Sequence, residues 1–140
     1  MDYQDLPDYM DAETLKTLFI HILSNDLYYQ DQNRVLNNIY ELAERYWHTY
    51  ELIDNELKDK ISDFIIKRID QNSVENIDII LSIIPLLGLR KVLNEIIDNK
   101  DKIQKEEIFV LLYEVYNECG DTVDEPYSGM KKFNKKNSNN

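Results

Sequence analysis

Apolar residues in the stretch 73–99, SVENIDIILSIIPLLGLRKVLNEIIDN, recur at helical spacing on both sides of a short corner. Val74, Ile77, Ile80, Leu81 and Ile84 share one helical face, and Ile79 and Ile83 widen it. A helix apolar on nearly every side belongs in the middle of a protein. Ser73 is placed to cap its start. Pro85 predicts its end, because the ring blocks the hydrogen-bond ladder and biases residue 84 away from helix. Gly88 can then supply a positive-φ turn, and Leu89, Val92, Leu93, Ile96 and Ile97 carry a second stripe back over the first.

The same periodicity predicts four more helices. Asp11 caps a helix over about 12–25, with Leu15, Leu18, Phe19, Ile22 and Leu23 inward. A long helix over 31–50 buries Val35, Leu36, Ile39, Leu42, Ala43, Tyr46 and Tyr50, with Tyr40 and Trp47 on its border. A third over 56–70 buries Leu57, Ile61, Phe64, Ile65 and Ile69, and a last one over 105–119 turns Ile108, Leu111, Leu112 and Val115 inward before Gly120. Residues 1–10, broken by Pro7, read as a flexible acidic arm; 11–120 form the domain; 121–140, ending in KKFNKKNSNN, read as a polar, disordered tail. The fold class expected is all-α. Six antiparallel helices with short links fit a short HEAT-like α-solenoid or a compact bundle.

Composition supports helices. Three Gly and three Pro in 140 residues leave little turn chemistry for a many-stranded sheet. The net charge of −11 is unevenly placed, because the tail 130–140 holds four Lys and no acid, which leaves −15 on residues 1–129. So acidic a body repels a phosphate backbone and excludes direct nucleic-acid binding; its natural complement is a basic protein. The longest apolar run, 77–89, contains Asp78 and Pro85 and falls short of the ~20 residues a bilayer span needs. One cysteine, Cys119, and an acidic start without a signal-peptide pattern lead to the expectation of a cytoplasmic protein with no membrane attachment.

Little in the chain suggests chemistry. Glu44 and His48, at i, i+4, are the only pair at metal-ligand spacing, and two ligands do not make a site. Cys119 stands at a helix C-terminus, where the dipole opposes a thiolate. No nucleophile elbow or phosphate-cradling glycine loop is present. The expectation is a non-enzyme without metal or cofactor.

Surface pattern says more. Glu56, Asp59, Asp63 and Asp70 fall along one strip of the third helix, with Ile66 among them and Lys60 and Lys67 on its flanks. An ordinary solvated face has the same pattern. Ten tyrosines accompany a chain rich in Ile, Asn, Asp and Lys, so their number decides nothing, but their placement beside acids does. Tyr28 and Tyr29 lie between Asp26 and Asp31, while Trp47 and Tyr50 precede Glu51 and Asp54. Tyrosine and tryptophan bury a large area at low entropic cost and keep a polar tip, so they anchor protein interfaces. The expected partner-binding set is Asp26, Tyr28, Tyr29, Asp31, Trp47, Tyr50, Glu56, Asp59, Asp63 and Ile66.

The hairpin IDIILSIIPLLGLRKVLNEIID and the helix pairs around it resemble a short HEAT-like solenoid. Small, acidic, tyrosine-rich helical chains also resemble bacterial immunity proteins of polymorphic-toxin and contact-dependent-inhibition systems. The segment DLYYQD is similar in character to the acidic, paired-tyrosine patch of the immunity proteins that block colicin-type nucleases, although that family is shorter and has four helices. The resemblance implies a monomer or weak dimer that neutralises a cognate basic toxin, with Tyr28 and Tyr29 as anchors. A helical adaptor that binds a peptide in its groove is the alternative.

Overall fold

The computed structural model describes residues 3–24 and 31–126. Every regular element among them is helical. After a 3-10 turn at Tyr3–Asp5 come α1 (Ala12–Ser24), α2 (Gln32–Trp47), α3 (Asn55–Ile66), α4 (Val74–Leu87), α5 (Arg90–Asp98), a further 3-10 turn at Lys100–Lys102, and α6 (Glu106–Cys119). The all-α class holds.

Contacts between helices alternate along the chain. α1 touches α3 and α3 touches α5, while α2 touches α4 and α4 touches α6; α1 also packs on α2, and α4 on α5. Two layers result, α1–α3–α5 and α2–α4–α6, with α4 in the middle of the second. The sequence of α4 explains its place. Ile77, Ile80, Leu81, Ile83, Ile84 and Leu87 are all buried, so the helix is apolar toward neighbours on several sides. Stripes on the other helices close over it: Leu15, Phe19 and Ile22 from α1, and Leu36, Ile39, Leu42 and Tyr46 from α2. Ile61 and Ile65 come from α3, Val92 and Ile96 from α5, and Ile108 and Leu112 from α6.

Caps follow the sequence. Thr14 N–H donates to Asp11 Oδ1 at 2.7 Å, which holds that carboxyl below its usual pKa. Asp31, Asp54 and Ser73 accept in the same way at α2, α3 and α4.

Several boundaries differ from expectation. α4 runs through Pro85 to Leu87 and does not stop at residue 84. Pro85 stands in the last turn, so only one ladder bond is missing. Gly88, at φ 71°, then turns the chain while Gly88 and Leu89 N–H both donate to the Ile84 carbonyl, at 2.9 and 3.0 Å. α2 ends at Trp47, and Tyr50 follows at φ 60° and 62% exposed, where a core position was expected. α3 ends at Ile66 because buried Asn76 claims the backbone beyond it. Asn76 Nδ2 donates to the Arg68 carbonyl at 2.9 Å, and its Oδ1 accepts from Asp70 N–H at 2.8 Å. Asp70 therefore leaves the α3 strip. Gly120 caps α6 in right-handed geometry, at φ −53°.

Both ends of the described chain are docked. In the segment read as a flexible arm, Tyr3 is 2% exposed, and Arg45 of α2 donates to the carbonyls of Leu6 and Pro7, each at 2.8 Å. In the segment read as a disordered tail, Val123 is 1% exposed, and Arg90 Nε lies 2.7 Å from Asp124 Oδ2. A bare helical period could not show these contacts, because neither segment carries an α-helical stripe and the side chains that hold them come from helices distant in sequence.

Candidate protein-binding surfaces

Asp26, Tyr28 and Tyr29 lie outside the described residues. The other seven members of the expected set separate into two groups, on α2 and α3.

On α2, Asp31 is occupied locally, its carboxylate accepting from Asn33 N–H at 3.1 Å and Arg34 N–H at 3.3 Å. At the far end, Trp47 is half-buried and its indole N–H donates to the Pro126 carbonyl at 3.1 Å. The indole thus fastens the end of the described chain and is not a free anchor. Tyr50 extends beyond it, its ring centroid 6.3 Å from that of Trp47. Leu52, 65% exposed, follows.

On α3, Glu56, Asp59 and Asp63 are exposed along one face, as the spacing predicts. Their charge is partly matched within the fold. Glu56 pairs with Lys60 at 3.3 Å, and Lys91 of α5 lies 3.7 Å from Asp59 and 2.6 Å from Asp63. Ile66 is half-buried against the core, not a projecting apolar residue. Lys60, Lys67 and Arg68 line a cleft of about 430 Å³ together with Asp63, Ile20 and Phe64. Arg68 sits over the Phe64 ring at 3.5 Å.

Sequence reading missed the outer face of α6. Val110, Tyr113 and Tyr116 are 51%, 59% and 48% exposed. Phe109, Tyr113 and Tyr116, at i, i+4 and i+7, make a stripe beside a groove of about 220 Å³ whose remaining lining is Ile97, Lys100 and Leu112. The signal was available: the helix EEIFVLLYEVYNEC has more apolar residues than one buried stripe can use.

Among the described residues no three His, Cys, Asp or Glu side chains gather at metal-binding distance. Glu44 and His48 share a polar cleft with Gln4, Asp8, Tyr9, Glu41 and Arg45. The Cys119 thiol donates to the Val115 carbonyl at 3.3 Å; burial first, then the Glu118 charge, push its pKa up, against the pull of Arg90. Among the described residues, no helix is long and apolar enough to cross a membrane.

No family model, curated protein or solved structure matches this chain.

Proposed function

We propose that this protein is an inhibitor that binds and neutralises a basic protein domain, of the kind that acts on nucleic acid, in the manner of an immunity protein in the cytoplasm. The observation that carries the reading is the pairing of exposed tyrosine with acid. Tyr50 follows shortly after Glu44 and just precedes Glu51, and Tyr113 and Tyr116 share α6 with four glutamates and no lysine or arginine. Ring area would supply affinity. The negative potential would speed capture and be screened by salt. Such a role needs a firm scaffold and no catalytic group.

The test is co-purification from the native host, followed by assay of what is recovered. One basic protein, inhibited at equimolar ratio and released as salt rises, supports the reading. Recovery of several unrelated partners favours an adaptor, and a recovered basic enzyme whose activity is unaffected removes the inhibitor reading.

A further inference from the structure

We infer that the outer face of α6 is a docking surface for a basic amphipathic helix of a partner protein. This deepens the reading above and rests on it only for the partner's identity. α6 ends its layer and packs on α4 through Ile108 and Leu112. A second stripe, Phe109, Tyr113 and Tyr116, runs along a different side at the same spacing, with exposed Val110 beside it. A helix apolar along two sides is built to lie between two neighbours, and this chain supplies α4 on one of them.

Charge chooses the occupant. Glu107, Glu114 and Glu118, at i, i+7 and i+11, form a third strip, all exposed, which flanks Val110 on the side away from the tyrosines. None of them has an ion-pair partner among the described residues. A second copy meeting this face through its own α6 would set these glutamates against their equivalents, with no cation on either helix to relieve them. A helix with apolar residues at i, i+3 or i+4 and i+7, bordered by Lys or Arg, meets both the aromatic stripe and the acidic strip. Ile97, Phe109 and Leu112 also line the groove beside Tyr113 and Tyr116, with Lys100 as its charged residue, so the groove suits one projecting aliphatic side chain and leaves the partner's cations to the glutamates. The chain's own tail has four lysines, but only Met130 and Phe133 as apolar residues among them, enough for one helical turn.

The probe is a synthetic Leu/Lys amphipathic helix of about 18 residues, long enough to hold helical structure. It is added to the full chain and followed by hydrogen exchange and by titration. Protection confined to 106–118, with affinity falling about tenfold in Tyr113→Ala/Tyr116→Ala and also falling in Val110→Lys, is the expected result. Protection centred elsewhere, or none, overturns it. Slow exchange of 106–118 without peptide, lost when Lys131, Lys132, Lys135 and Lys136 are changed to Gln, makes the tail the occupant and also overturns it. A dimer abolished by the tyrosine substitutions makes the occupant a second copy, with the same consequence. If the peptide protects α6 while the host's basic protein remains active in the complex, inhibition fails and the surface stands.

Discussion

Lys91 on α5 holds its ammonium 2.6 Å from a carboxylate oxygen of Asp63 on α3. That hydrogen bond, with the nearby charges of Asp59 and Asp63, keeps the lysine above its ordinary pKa. The three groups are exposed, so the link does little for stability. Its effect is on potential, since it cancels charge on the face expected to be most acidic. Lys91→Glu sets a third carboxylate beside Asp59 and Asp63, and because all three positions are exposed it should lower the thermal midpoint by only a few degrees. It should also raise the association rate with the Leu/Lys peptide severalfold at low salt and steepen its salt dependence, as read by stopped flow.

Arg45 holds the start of the described chain by hydrogen bonds that no other side chain could replace together. Besides the Leu6 and Pro7 carbonyls, it donates to the Glu41 carbonyl at 2.9 Å and to Glu41 Oε2 at 2.8 Å. Arg45→Ala removes these bonds together and empties a site in which the arginine is 6% exposed. The expected cost is about 3 kcal/mol, measured by urea unfolding, together with faster proteolysis within 3–10.

Gly88 couples the end of α4 to the last described segment. A Cβ there would lie 3.0 Å from the Val123 carbonyl oxygen and 3.2 Å from that of Asp124, at a φ of 71° that side chains resist. Gly88→Ala should cost at least about 1–2 kcal/mol from backbone conformation alone. It should also displace 123–126, and because Trp47 donates to Pro126, its fluorescence should shift to the red.

Tyr46 gives a pH dependence whose sign is fixed by burial. Its ring is 2% exposed, and among the described residues its hydroxyl has no hydrogen-bond partner. Burial raises its pKa above 10.0; Lys16 opposes this, and Glu51, Asp54 and Glu13 add to it. The folded chain therefore holds the phenolic proton more tightly than the unfolded chain. That stability is complete below the unfolded value of 10.0 and is lost as pH rises through the folded value. Tyr46→Phe should flatten this alkaline loss in part, because half-buried Tyr40 is shifted the same way. It should be neutral or slightly stabilising at pH 7, since it removes an unsatisfied hydroxyl. Urea midpoints from pH 7 through the alkaline range measure both.

Most of the helices were legible because their apolar stripes are one-dimensional information. Leu15, Phe19 and Ile22, or Val92, Leu93 and Ile96, can point to one core only if the intervening chain is helical. Endings were less so. Pro85 in the final turn of α4 removes a single bond, and the end of α3 depends on Asn76, whose amide reaches back to Arg68 and Asp70 across a turn. The acidic face of α3 was readable as spacing. Its partial neutralisation was not, because Lys91 arrives from α5, a helix that is distant in sequence.

Sequence by itself determined that this chain is all-helical, strongly acidic in its body and centred on the apolar helix that became α4, since helical period and net charge are properties of residue order alone. Tertiary structure decided which side chains remain available. It turned Trp47 inward to Pro126, set Lys91 between two aspartates, and left Tyr113 and Tyr116 facing outward at the end of a layer. Exposure depends on what packs against a helix, and that is settled only when elements far apart in the chain come together.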